Sequence, residues 1–180
     1  DFWAVFATVA ITLTAGDEVG VASGVIVSIA LHLYRTSKPH IAEIGRVAGT
    51  EHFRNVRRYR VETCRHLYCV RIDESLFFAN ASYLEDHVLE VVYNRGEVSD
   101  IVLNCAAVNE VDFSALEMLE ALNKRLSDQG ITLHLAEVKG PVLDRLSRGH
   151  FLLELSGRVF LTQHEAFNTL SQRQLGGGHE

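Results

Sequence analysis

The chain has 180 residues and a mass of 20.1 kDa, and its 23 acidic and 17 basic side chains give a net charge of −6. Apolar residues make up 47% and charged residues 22%, which excludes global disorder and suits a globular protein with a buried core. The acidic balance argues against a nucleic-acid-binding protein, because binding phosphates requires a clustered positive field. We therefore expect no nucleic-acid partner.

The amino-terminal segment contains two apolar runs. Residues 2–16 and 19–34 carry no charge when His32 is counted as neutral, and an acidic turn at Asp17 and Glu18 separates them. Each run is shorter than the about 20 residues that a helix needs to cross a bilayer, yet two short spans fit inside a larger membrane domain. We predict a transmembrane hairpin over residues 1–35. A buried helical hairpin of a soluble protein is the alternative.

Two further patterns favour the membrane. Small residues recur every four positions in the second run, which lets another helix approach closely; they are Gly20, Gly24 and Ser28. The segment 35–60 then carries seven basic side chains and only Glu43 and Glu51 as acids: Arg35, Lys38, Arg46, Arg54, Arg57, Arg58 and Arg60. The positive-inside rule places everything after residue 35 in the cytoplasm of a protein integral to the cell (inner) membrane. The alternative is a basic linker without topological meaning.

The rest of the chain alternates strand and helix patterns. Strand patterns lie at 67–72, 101–106, 131–136 and 159–161, and helix patterns lie at 81–94, 114–129, 141–146 and from residue 163. This order predicts an α/β domain over residues 53–172, with a mixed, largely parallel sheet and helices packed on it. Residues 36–52 are predicted to be a linker, and the glycine-rich residues 173–180 a disordered tail.

No pattern for catalysis, metals or cofactors stands out. Cys64, Cys69 and Cys105 form no Cys-x-x-Cys pair, so we expect free, mostly buried thiols. The nine histidines include no pair with metal-ligand spacing on one helix, and no glycine-rich phosphate loop is present. We therefore expect neither an enzyme nor a metal or cofactor.

One junction between a strand and a helix is a candidate regulatory site. Ser114 and Glu117 have the spacing of a capping box, in which the serine satisfies free backbone N–H groups of the helix. The functional interpretation is an exposed hydroxyl beside Asp112 that could be phosphorylated at the positive end of the helix dipole. Thr162 and Glu165 predict a second capping box at the last helix.

Several motifs together resemble the carboxy-terminal region of SulP-type anion transporters, a family that includes animal sulfate transporters and anion exchangers. The motifs are Ser37-x-Pro39-His40, Gly45-Arg46-Val47-x-Gly49-Thr50, Leu76-Phe77-Phe78-Ala79-Asn80-Ala81 and Leu135-Ala136-Glu137-Val138-Lys139-Gly140-Pro141-Val142. The amino-terminal segment resembles the last two membrane helices of that family. The remainder resembles the STAS domain, which is named after bacterial anti-sigma-factor antagonists.

The resemblance implies a secondary active transporter, such as a symporter, of sulfate, bicarbonate or dicarboxylates, with STAS as its cytoplasmic regulatory and docking module. In the family the anion lies at facing half-helix ends upstream, so no substrate-binding residue is expected in this segment. The implied partners are an inorganic anion, the lipid membrane, a second copy in a homodimer and a cytoplasmic protein that docks on the STAS domain.

Stand-alone antagonists carry Asp-Ser-Ser/Thr-Gly at the junction, where this chain has Asp112-Phe113-Ser114-Ala115. Ser114 aligns with the phosphorylated hydroxyl, but Phe113 and Ala115 depart from the pattern. A soluble antagonist-like switch controlled by phosphorylation of Ser114 is the alternative function. It would have no use for the apolar start.

The basic segment also suggests a surface function. Arg54, Arg57, Arg58 and Arg60 are candidates for contacts with anionic lipid headgroups. A competing use is pairing with acidic patches of a neighbouring STAS domain in the dimer.

Overall fold

The computed structural model describes residues 5–6, 9, 12 and 16–172. The chain divides into two compact units, Asp1–Lys38 and Pro39–Glu180. Each unit is described separately below.

The first unit contains helix α1, Asp17–Thr36, which has 20 residues. Its stretch Glu18–Thr36 has a mean hydropathy of 1.4 and is hardly buried, so it is long and apolar enough to cross a membrane. The predicted turn at Asp17 and Glu18 is wrong, because both residues begin this helix. The first predicted span, residues 2–16, lies mostly outside the described residues.

Gly20 is a point of close approach within the first unit. A Cβ built on it would lie 1.9 Å from Thr12 Oγ1 and 2.9 Å from Thr12 Cα. Any side chain at position 20 would therefore push residue 12 away. This contact agrees with the predicted role of small residues in packing apolar helices.

The second unit is built on one six-stranded sheet. The strands are β1 (Ile41–Arg46), β2 (Phe53–Asn55), β3 (Leu67–Ile72), β4 (Asp100–Asn104), β5 (Thr132–Ala136) and β6 (Val159–Phe160). Their order is β2-β1-β3-β4-β5-β6, with β1 antiparallel to both of its neighbours and β3 to β6 parallel to one another. The mixed, largely parallel sheet predicted from the sequence is confirmed.

Helices cover both faces of this sheet. They are α2 (Phe78–Arg95), α3 (Phe113–Ser127), α4 (Gly140–Arg148), α5 (Phe151–Glu154) and α6 (Gln163–Ser171). The larger core packs the apolar sides of α2 and α3 on the central strands, and Leu84, Leu119 and Phe151 are fully buried there. The smaller core packs α6 on the opposite face through Phe167 and Leu170. Two covered faces explain why β4 is buried along its whole length, with the apolar residues Ile101, Val102 and Leu103 at its centre.

The predicted linker over residues 36–52 is wrong from residue 41 onwards. Residues 41–46 form β1, which pairs with both β2 and β3 and carries the buried side chains Ala42 and Ile44. The sequence conceals this strand because Glu43 and Arg46 interrupt its apolar pattern. Both charges are neutralised by pairing, Glu43 with Arg95 and Arg46 with Glu62.

The Gly45-Arg46-x-x-Gly49-Thr50 motif holds the β1–β2 hairpin together. A Cβ on Gly45 would lie 2.7 Å from Glu62 O, so only glycine lets the chain at 61–63 cross here. Arg46 donates to Glu62 Oε2 at 2.7 and 2.9 Å and to Asn168 Oδ1 at 2.8 Å, which ties β1 to α6. Gly49 takes a positive φ of 73° in the turn, where non-glycine residues are strained. The motif is therefore structural.

Candidate regulatory site

The carboxyl ends of β3 and β4 lead into two loops that join each other. Leu76 N donates to Glu110 O at 3.0 Å, and Asp112 N donates to Leu76 O at 3.1 Å. Leu76 and Val111 are buried at this bridge. The two loops therefore bring the first turns of α2 and α3 together at the edge of the sheet where ligands and partners of open α/β folds commonly bind.

The Asp112 carboxylate caps both helices at this junction. Its Oδ1 accepts from Ala115 N at 2.7 Å in α3, and its Oδ2 accepts from Phe78 N at 2.8 Å in α2. One side chain thus satisfies a free N–H group in each of two helices and lies at the positive end of both dipoles. The start of α2 depends on this contact from a residue 34 positions further along the chain.

The predicted capping role of Ser114 and Glu117 is wrong. Asp112 is the N-cap residue of α3, and Ser114 lies inside the first turn, exposed. Asp112 has the extended backbone that an N-cap residue requires, so its side chain, and not that of Ser114, accepts from Ala115 N. Glu117 is exposed on the next turn. Ser114 is accessible, as the phosphorylation hypothesis requires, and its phosphorylation stays a prediction.

Large apolar side chains surround the junction. Phe78 and Phe113 are each 63% exposed, although each is the first residue of its helix beside Asp112. A cavity of about 590 Å³ lies next to Phe113, and Asp144, Arg145 and Arg148 of α4 line its other side. The arrangement offers a partner a mixed apolar and charged surface, as docking surfaces of proteins do.

The Leu76-Phe77-Phe78-Ala79-Asn80-Ala81 motif builds this junction rather than a ligand site. Asn80 is fully buried, donates to Ser75 O at 2.8 Å and accepts from Phe77 N at 3.0 Å. Ala81 is buried against the core. The Asn80 side chain therefore satisfies the backbone N–H group of Phe77 and the backbone carbonyl group of Ser75, and these two bonds fix where α2 begins.

The second predicted capping site is confirmed in part. Thr162 Oγ1 accepts from Glu165 N at 3.1 Å at the start of α6. In a complete capping box the Glu165 carboxylate would accept from Thr162 N. Here its Oε2 accepts from Leu161 N at 3.3 Å, one residue earlier.

The four candidate arginines lie along one edge of the sheet. Arg54 is in the edge strand β2, and Arg57, Arg58 and Arg60 follow in the next turn, all exposed. Arg58 N donates to Asn55 O at 3.0 Å, which holds this turn against the strand. The four exposed arginines thus lie on one short segment at the edge of the sheet.

The cysteines are free thiols, as expected. Burial raises the pKa of the Cys105 thiol to about 12, and burial likewise raises the pKa of Cys69. Both therefore stay protonated at neutral pH and lack the thiolate that nucleophilic chemistry needs. Within the described residues, no cluster of three or more His, Cys, Asp or Glu side chains could hold a metal ion.

Comparison with known proteins identifies the family. The profile of the STAS domain matches residues 58–166, which is more than half of the chain. The chain belongs to the STAS domain family. The boundary of the matched region leaves β1 and β2 outside, although both strands are part of the sheet of this STAS domain.

The curated relatives are sulfate transporters. Sulfate transporter 4.1, chloroplastic, of Arabidopsis thaliana is 32% identical over 94% of this chain and 26% of its own length. High affinity sulfate transporter 2 of Stylosanthes hamata is 27% identical over 84% of this chain and 25% of its own length. The chain spans about a quarter of these relatives and corresponds to their carboxy-terminal region, which includes the STAS domain.

Solved structures show the same fold. The murine anion transporter Slc26a9 in its inward-facing state matches with a TM-score of 0.73 at 23% identity, over 85% of this chain and 25% of that one. A Thermotoga maritima protein assigned as an anti-sigma factor antagonist matches with a TM-score of 0.54 at 20% identity, over 62% of this chain and 92% of that one. The stand-alone protein thus covers less of the chain than the transporter does.

Proposed function

We propose that this chain is the carboxy-terminal part of a secondary active transporter of sulfate or a related anion, and that its STAS domain is the cytoplasmic regulatory and docking module. One observation carries the proposal: the similarity to sulfate transporters extends over 94% of the chain, so it includes the apolar helix α1 as well as the STAS domain. A soluble antagonist-like switch would not account for a largely exposed, apolar helix of 20 residues.

Transport itself is tested with the full-length protein encoded by the native gene. Purified and reconstituted into liposomes, it should take up labelled sulfate, and excess unlabelled sulfate should suppress the uptake. Protein-free liposomes are the control, and bicarbonate and dicarboxylates are tested as competitors. The proposal would be contradicted if liposomes that contain the protein took up no more labelled sulfate than protein-free liposomes and if none of the three anions changed the uptake.

The basic edge of the STAS domain is proposed to contact anionic lipid headgroups. Each basic side chain near such a surface contributes about 1 kcal/mol. Replacing Arg54, Arg57, Arg58 and Arg60 by Ser should therefore weaken binding of the Pro39–Glu180 unit to vesicles containing phosphatidylserine by about a hundredfold or more at low salt. Co-sedimentation with the vesicles measures this loss.

The matched control removes four exposed charges elsewhere on the same unit: Arg65, Lys124, Arg125 and Arg148, each replaced by Ser. Equal losses in the two variants would show a general charge effect and would contradict a specific basic edge. The competing use in a dimer predicts a different result, in which the Arg54–Arg60 variant binds vesicles normally but sediments as a smaller species.

A further inference from the structure

A polar cleft lies beside the basic edge, away from the Asp112 junction. It has a volume of about 660 Å³ and is bounded by β1, the turn after β2, and helix α2. This volume is in the range of pockets that hold small molecules. No motif in the sequence pointed to the cleft, because its lining comes from four separate segments: β1, the turn after β2, β3 and α2.

The floor of the cleft is a rigid polar network. Tyr68 is 1% exposed, and its hydroxyl lies 3.0 Å from His87 Nε2. Arg95 forms a bidentate pair with Glu43 and stacks over the ring of Tyr68, with 5.1 Å between its guanidinium carbon and the ring centroid. Burial raises the pKa of Tyr68 and lowers the pKa of His87, so both side chains stay neutral hydrogen-bonding groups.

The rim of the cleft carries two arginines, Arg57 and Arg58. Within the part of the chain that the structure describes, no ion pair involves either of them. Both arginines therefore line the cleft without forming an ion pair with a carboxylate in the described residues.

The turn that bears these arginines is fixed before any ligand arrives. Val56 N donates to Glu43 O at 3.1 Å, which attaches the turn to β1. Asn55 Oδ1 accepts from Arg57 N at 2.8 Å, and Asn55 O accepts from Arg58 N at 3.0 Å. A preformed turn reduces the entropy lost when a ligand binds.

The charges of the cleft favour an anion. Glu43 and Arg95 cancel, and Glu90 opposes only one of the two rim arginines when the histidines are counted as neutral. Guanidinium groups bind phosphate oxygens through short, charge-assisted hydrogen bonds. The neutral donors and acceptors on the walls, Asn55, Asn94 and His87, suit hydroxyl groups.

We propose that this cleft binds a phosphomonoester attached to a hydroxylated body, with Arg57 and Arg58 on the phosphate. The same chemistry occurs in a free sugar or inositol phosphate and in a phosphoinositide headgroup. Binding here is independent of transport, and it would make the STAS domain responsive to a phosphorylated ligand.

The test uses the full chain in uncharged detergent micelles with inositol 1,4-bisphosphate as the soluble probe. Titration calorimetry should show saturable binding. Replacing Arg57 and Arg58 together by Ser should weaken it about tenfold or more, because two charge-assisted contacts are lost. The control, Arg65→Ser with Lys124→Ser, removes the same charge from exposed positions outside both the cleft and the basic edge, and should change affinity less than about threefold.

A second variant and a second probe complete the test. Glu90→Gln should strengthen binding several-fold, because it removes the carboxylate that opposes the phosphate at the rim. The chain is then reconstituted in nanodiscs with and without phosphatidylinositol 4-phosphate, and crosslinking to that lipid is compared between the two double variants. Binding of the soluble probe indicates a free organic phosphate as the ligand, and selective crosslinking to the lipid alone indicates the headgroup.

The proposal is overturned if neither probe binds, or if both double variants weaken binding equally. Sulfate uptake by the full-length protein is measured separately. If the protein takes up sulfate but binds neither probe, only the cleft proposal fails. If it binds a probe but takes up no sulfate, only the proposed transport function fails.

Discussion

Replacing Asp112 by Ala is expected to lower the free energy of unfolding of the STAS domain by about 2 kcal/mol, because two helices lose a cap at once. The variant leaves Phe78 N and Ala115 N without the carboxylate oxygens that now lie 2.8 and 2.7 Å away. Asp112→Asn keeps one acceptor oxygen, so its loss should be about half as large. Urea unfolding of the Pro39–Glu180 unit measures all of these changes.

Ser114→Ala is the matched control for this prediction. Ser114 is exposed inside the first turn of α3, so its replacement should change stability by less than about 0.5 kcal/mol. A capping serine would instead cost about 1 kcal/mol. A larger loss for Ser114→Ala than for Asp112→Ala would contradict the described junction.

Gly157→Ala is expected to destabilise the domain by about 3 kcal/mol, because it forces atoms into a filled space. The new Cβ would lie 2.3 Å from Leu133 O and 2.5 Å from His134 Nδ1. Neither the Leu133 carbonyl nor the His134 ring can move aside without disturbing other contacts. Leu133 belongs to the central strand β5, and His134 is 1% exposed and fixed between Arg158 N at 3.2 Å and Asp100 Oδ1 at 3.2 Å.

The effect of Gly157→Ala extends to a buried polar pair. Because His134 Nδ1 accepts from Arg158 N, its Nε2 carries the proton that is donated to Asp100. Displacing the ring would leave the Asp100 carboxylate without one of its donors in the interior. The chemical shifts of the His134 ring should therefore change together with the loss of stability.

Gly140→Ala is the control for the glycine prediction. Gly140 begins α4, and nothing lies within 4 Å of a Cβ built on it. This substitution should be neutral or slightly stabilising, by less than about 1 kcal/mol, because it reduces the entropy of the unfolded chain. Similar losses at both positions would contradict the packing around Gly157.

The sequence predicted the elements whose apolar patterns face a core. The stripe of Leu84, Val88 and Val92 is buried on α2, and Leu119 and Leu126 are buried on α3, as their helical spacing requires. Hydrophobic periodicity is a direct consequence of burial, so it can be seen in a single sequence. The fold class followed from the order of these elements.

The features that the sequence could not show depend on distant partners. Strand β1 was missed because the charge of Glu43 interrupts its apolar pattern. Arg95, which neutralises this charge, lies 52 residues away in the sequence. Asp112 could not be recognised as the shared cap, since its second contact is with Phe78, 34 residues earlier. The cleft at Tyr68 and His87 combines two strands, a turn and a helix, so no local pattern signals it. Phosphorylation of Ser114, the dimer and the transmembrane hairpin over residues 1–35 stay predictions.

The size and location of the native protein test the central proposal most directly. An antibody against residues 65–170 is used on membrane and soluble fractions of the native cells, with a carbonate wash of the membranes. We expect a single band several-fold larger than the 20.1 kDa of this chain, in the membrane and resistant to carbonate, since the chain spans 26% of a related sulfate transporter. A soluble band near 20.1 kDa would contradict it.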